Sequence, residues 1–177
     1  MPVRKEIKRG KLAMTQVDPA ELSPGEFAWQ IRRDVETKDT RVVVIDSLNG
    51  FLMSMPGEQD LSLHLHELLA FLNQKGVVTI LIYTQHGLVG NMQTEVDVSY
   101  LSDTVVVLRY FEAEGEIRQA ISVIKQRVGQ HERALRELCM SDRGVEVGEQ
   151  LREFRGILTG VPGSSTETDL SRSTEAN

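Results

Sequence analysis

The chain has 177 residues, enough for one domain with a proper core, and its 40% apolar and 26% charged content is that of a soluble globular protein. A net charge of −6 argues against a dedicated nucleic-acid binder, which needs a basic surface to neutralise phosphates. The single cysteine, Cys139, excludes an internal disulfide and suits a reducing compartment. No apolar run approaches the ~20 residues of a membrane span, and the basic start MPVRKEIKRGK lacks a signal-peptide core. A cytoplasmic location is expected.

The first residues are polar, and the first apolar stretch, Leu12 to Val17, reads as a short strand. Ser23-Pro24-Gly25-Glu26 then supplies an N-cap serine, a proline at the first helical position and a glutamate three residues after the cap. Phe27, Ile31 and Val35 recur at helical spacing up to Lys38, with Arg32 and Arg33 on what reads as a solvated face. Val42 to Ile45 are four β-branched residues in a row, the signature of a strand buried on both faces of a parallel sheet. Asp46 ends that run, followed by Ser47 and a turn expected at Asn49-Gly50. An acid at the carboxyl edge of a parallel sheet lies where α/β folds bind ligands and can hold Mg²⁺ directly or through water. It can equally be a helix cap or a loop acid that ends a strand.

A loop with Met53, Met55 and Pro56 leads to a helix expected over 59–74, with Leu61, Leu65, Leu68, Leu69 and Leu72 as its stripe and Gly76 as its stop. His64 and His66 are two apart, which splays them to different sides of a helix, poorly spaced to share a metal, and they read as surface or edge residues. Val77 to Tyr83 reads as a second buried strand that runs into Thr84-Gln85-His86-Gly87. Polar side chains there suit either the sensing of a phosphate or its attacking water, or turn formation before Gly87 and Gly90.

The pattern then changes. Asp103 to Glu112 reads as a third strand, 113–116 as a hairpin turn, Ile117 to Gln126 as its antiparallel return, and Leu135 to Met140 as a further strand with a turn at 142–144. Leu151 to Val161 reads as a closing segment. The Ser/Thr-rich residues 163–177 are expected to be a disordered tail. No internal repeat is present. Alternating helices and strands followed by a meander give an α/β fold with an antiparallel extension.

Three stretches together resemble KaiC-type ATPases of the RecA superfamily. These are Asp46 at the end of VVVIDSLNGF, the block YLSDTVVVLRYFEAEGEIRQAISVIKQRVGQHERALREL, and LREFRGILTGVP. DPAELSPGEFAWQIRR also looks like the segment before the Walker B strand in bacterial relatives. The likeness runs from about Leu12 to Pro162. It implies a RecA-like P-loop NTPase sheet, mostly parallel with helices on both faces, and a ring-forming protein in signalling or clock-like regulation that uses ATP and Mg²⁺. In that resemblance Asp46, with Ser47, matches the Walker B position and the Mg²⁺ site, and Thr84-Gln85 matches the phosphate-sensing position. Lys125 and Arg127 match a K-x-R pair that reaches a neighbouring subunit's nucleotide. Such a pair projects to one face of a strand, and two cations there stabilise charge on a transferring phosphate. His131 follows in a loop that contacts nucleotide or interface, or simply turns. Ser99 lies where clock proteins are phosphorylated, but Tyr100 replaces the second hydroxyl residue of their Ser-Thr pair.

The departure from the family is in the phosphate cradle. No GxxxxGK[ST] occurs, and Arg9-Gly10-Lys11-Leu12 has neither the preceding glycine nor the hydroxyl residue. The resemblance therefore reads as the carboxyl-terminal part of one domain without its first βα unit. Two functions follow as expectations. In one, the chain is an ATPase piece completed by a Walker A-bearing chain, in a homo- or hetero-oligomer. In the other, it is a non-enzymatic module that binds full-length relatives.

Overall fold

The computed structural model describes residues 3–18, 21–53, 61–84, 101–159 and 163–164. The chain divides into two compact units, Met1–Thr84 and Gln85–Asn177.

The first unit opens with a short helix, α1 (Val3–Lys8), that buries none of its residues. It closes when the amides of Gly10 and Lys11 donate to the carbonyls of Ile7 and Glu6. Residues 12–18 form no strand, contrary to the reading of Leu12 to Val17, because the described residues supply no pairing partner. Helix α2 (Pro24–Lys38) begins as its sequence requires. The Glu26 amide donates to Ser23 Oγ at 3.2 Å, and the Ser23 amide donates to Glu26 Oε2 at 3.0 Å. That reciprocal pair satisfies two otherwise orphan donors and holds the Glu26 carboxyl below its usual pKa, chiefly through the Ser23 amide. The helix ends at Asp39, whose φ of 51° reverses the chain into strand β1 (Val42–Asp46).

Strand β1 is followed by a helical turn, α3 (Leu48–Met53), where a turn at Asn49-Gly50 was expected. Leu48 is fully buried, and that burial outweighs the local Asn-Gly preference. Helix α4 (Leu61–Gln74) buries Leu61, Leu65, Leu68 and Leu72, while Leu69 lies at the margin of the stripe. Gly76, with φ at 68°, ends it as expected; Val77 N–H returns to the Leu72 carbonyl at 2.9 Å. Strand β2 (Val78–Ile82) then pairs in parallel with β1, Val42 opposite Val78 and Asp46 opposite Ile82.

Helices α2 and α4 clamp one face of this pair. Val35, Leu68, Leu72 and Val77 form the core, with Val43 and Phe71 packed against it. The other face is open. Val42, Val44, Val78, Ile80 and Ile82 are all exposed, so the strand read as buried on both faces is covered on only one.

The second unit is an antiparallel meander in the order β3 (Thr104–Ala113), β4 (Glu116–Gln126), β5 (Arg136–Ser141), β6 (Gly144–Gln150). The β3–β4 turn is Glu114-Gly115, with φ at 54° and 78°. Two positive φ values make the tight hairpin that matches strand twist. Strand β6 was not foreseen beyond its turn. The expected closing segment contains β7 (Phe154–Arg155) and a 3-10 turn at Ile157–Thr159. β7 pairs with β8 (Gly163–Ser164), so two residues assigned to the tail are in a strand; residues 165–177 lie outside those described.

One face of this sheet is packed. Phe111, Ala113, Ala120 and Ile157 are buried there, with Leu135, Leu151 and Phe154 against them. The rings of Phe111 and Phe154 meet edge to face at 5.6 Å. Arg118 lies over both rings and donates two 2.7 Å hydrogen bonds to the Glu137 carboxylate on β5.

Those bonds hold the Glu137 carboxyl below the ordinary glutamate value of 4.5. A carboxyl depressed on folding adds stability above its unfolded pKa and loses it as pH falls through the folded value. The unit should therefore weaken on acidification below about pH 4.5. Thermal unfolding followed from pH 7 to pH 3 should show a flatter acid limb in Glu137→Gln. An unchanged limb would assign the acid sensitivity elsewhere.

Candidate functional site

In the first unit, the residues of interest gather where β1 and β2 end side by side. Asp46 is the last residue of β1, and Thr84 stands two residues beyond its register partner Ile82. Parallel pairing thus delivers both loops to the same sheet edge, the edge at which open α/β sheets bind ligands. The Asp46–Ser47 peptide is cis.

Asn49 ties the two loops together, a contact that sequence reasoning missed. Its Nδ2 donates to the Thr84 carbonyl at 2.7 Å, and its Oδ1 accepts from the Thr84 amide at 2.7 Å. A side-chain amide here takes the place of the next strand residue, satisfying both backbone groups of Thr84. The only sequence signal was the residue type, since an asparagine read as a turn former is also the side chain best suited to bond a backbone amide at both ends.

The Asp46 side chain is exposed and makes no hydrogen bond or ion pair among the described residues. One solvent-facing carboxylate suits Mg²⁺, which keeps most of its waters and takes one or two protein carboxylates besides phosphate oxygens. Among the described residues no three His, Cys, Asp or Glu side chains group into a protein-only metal cage. His64 is half-buried and His66 exposed, as their spacing implied. Gln85 and Ser99 lie outside the described residues.

The remaining candidates belong to the second unit. Lys125 lies opposite Val105, and Arg127 follows the end of β4. The ladder continues one step past the strand, with Arg127 N–H donating to the Asp103 carbonyl at 2.7 Å. This keeps Lys125 and Arg127 two apart on one face, as expected of the pair. Arg127 Nη1 also meets Asp103 Oδ1 at 3.3 Å, an ion pair with both side chains more than half exposed. A register shift between Val105 and Val106 separates this end of the hairpin from the rest.

His131 sits in the β4–β5 connection with its Nε2 buried and without a hydrogen-bond partner among the described residues. Next to it, Glu132 holds the Arg136 guanidinium at 2.7 Å, and Arg136 Nη1 reaches the Gly148 carbonyl at 3.1 Å. That contact keeps the Glu132 carboxyl below its usual range and fixes the connection after the Lys125–Arg127 end.

No helix among the described residues is long and apolar enough to cross a membrane. The chain matches the family described as ATPase: KaiC over residues 5–152. It is 30% identical over 106 residues to circadian clock protein KaiC3 of Synechocystis sp., covering 59% of this chain and 21% of that protein. It is 38% identical over 72 residues to the circadian clock oscillator protein KaiC of Thermostichus vulcanus, covering 41% and 14%. The KaiC of Synechococcus elongatus is 37% identical over 82 residues, covering 45% and 16%. The chain therefore spans about a fifth or less of the length of these relatives. With a match over most of its residues, the chain belongs to the KaiC family of ATPases.

Proposed function

We propose that the chain contributes half of a composite Mg-ATP site, completed by a polypeptide segment that carries GxxxxGK[ST]. The observation that carries this reading is the edge at Asp46. A carboxylate that is unpaired among the described residues and the Asn49-clamped Thr84 stand at the ends of paired parallel strands, and the motif GxxxxGK[ST] does not occur in the 177 residues. In this reading Asp46 and Ser47 hold Mg²⁺, Thr84 with Gln85 orients the attacking water, and Lys125 with Arg127 acts on a neighbouring subunit's nucleotide. His131 lies in the connection beside that pair. Bound Mg²⁺ would neutralise phosphate charge and polarise the transferred group.

The face of β1 and β2 that carries five exposed aliphatic side chains supports the need for an added unit. The same face favours a second reading, a module that binds full-length KaiC-like proteins without turnover. A family segment that carries GxxxxGK[ST] but ends before its own Walker B strand distinguishes the two. Mixed with this chain it should release phosphate from Mg-ATP, and Asp46→Ala should lower that rate by about 10²–10³-fold. Because the Asp46 side chain is exposed and has no partner among the described residues, the substitution should leave thermal stability unchanged. Complex formation without phosphate release would favour the binding module.

A further inference from the structure

The second unit has a face that no part of the proposed ATP chemistry uses. Along β3, residues 105, 107, 109, 111 and 113 point to the packed side, and the even-numbered residues point away from it. Lys125 and Arg127 share the packed side's orientation, through the pairing of Lys125 with Val105.

The opposite face is apolar and open. Val106, Leu108, Tyr110, Met140, Val145 and Val147 project there and are 46–65% exposed. The pairings Leu108 with Ile121, Leu138 with Val147, and Met140 with Val145 place these side chains on one surface running from β3 to β6. Among the described residues, the pairings put Glu112, near the hairpin, and Arg136, which is held by Glu132, on this face. Together with Ile117, the exposed side chains come to roughly 700 Å², against about 800 Å² per partner in a standard stable interface and a few hundred for ordinary monomer patches.

We infer that this face is a docking surface for a second copy of the same chain, forming a two-fold, face-to-face dimer. A two-fold operation presents the same patch to itself, so a flat aliphatic sheet with no cluster of like charge is self-complementary. Two such sheets pack about 10 Å apart with their side chains interleaved. The exposed area approaches what each partner contributes to one such contact. The dimer leaves the face carrying Lys125 and Arg127 outward and does not depend on nucleotide. It is thus separate from any ring built on those cations.

Sedimentation velocity of the full chain without ATP tests this. The expected particle is twice the 19.9 kDa chain mass. Leu108→Lys combined with Val147→Lys should raise the dissociation constant about a hundredfold or more by placing like charges against each other. Circular dichroism should be unchanged, because both side chains are exposed. Lys125→Ala/Arg127→Ala should leave the dimer intact. As a second readout, Leu108→Cys in a Cys139→Ser background should crosslink between copies with a short bis-maleimide. A monomer at micromolar concentration, a dimer unaffected by the lysines, or assembly that requires ATP and Lys125/Arg127 would each overturn the inference. The last outcome would leave the composite-site reading standing.

Discussion

Replacing Lys125 and Arg127 together by alanine is expected to lower phosphate release in the reconstituted assembly by about 10³-fold, the scale of losing an arginine finger. Two cations aimed at a transferring phosphoryl group stabilise the transition state more than the ground state. The Asp103 partner of Arg127 does not block this role. Both side chains are more than half exposed, and such ion pairs contribute only about 0–1 kcal/mol, so exchange for a phosphate is inexpensive. Turnover should fall with little change in ATP affinity, because the pair serves a neighbouring subunit's nucleotide. Equal loss of affinity and turnover in single-turnover and binding assays would mean that the cations simply hold substrate.

Phe111→Ala should be the most damaging single change to the fold. Phe111 is 2% exposed, meets Phe154 edge to face, and underlies the Arg118 guanidinium that binds Glu137. Its loss removes a buried aromatic and leaves a cavity, at a cost of about 3–5 kcal/mol. It also takes away the surface on which Arg118 is held. Urea unfolding followed by circular dichroism would read this as a large fall in midpoint for the antiparallel unit. A shift below about 1 kcal/mol would mean that Ile157, Leu151 and Phe154 close over the gap.

Strong local signals carried over from sequence to structure. The Ser23-Pro24-Gly25-Glu26 cap, the leucine stripe of α4, Gly76 and the Glu114-Gly115 hairpin each specify one backbone conformation, and each is found. The differences arise where partners decide. Four β-branched residues in β1 imply two covered faces, yet cover depends on what packs above Val42 and Val44, which residue type cannot supply. Leu12 to Val17 has strand-like composition and, among the described residues, no strand beside it. Asn49-Gly50 carries a turn signal, but burial of Leu48 winds it into α3. Strand β6 offered only Val145 and Val147 between glycines and acids, too short an alternation to recognise without β5 beside it.

The candidate site was legible to the same degree. Asp46 and Thr84 were candidates because a strand's end predicts the sheet's ligand edge, and the parallel register puts both at that edge. Asn49 was not, because its contact spans 35 residues and depends on the parallel register of β1 and β2. The Lys125–Arg127 spacing was readable as a shared face, whereas the Asp103 partner required the β3–β4 pairing.

Titration calorimetry with Mg-ATP tests the composite site most directly, first on this chain alone and then with the GxxxxGK[ST] segment present. The chain alone should give no saturable heat, and with the segment it should bind saturably, more weakly in Asp46→Ala. Tight Mg-ATP binding by the isolated chain would contradict it, because the nucleotide site would then be complete without a second polypeptide.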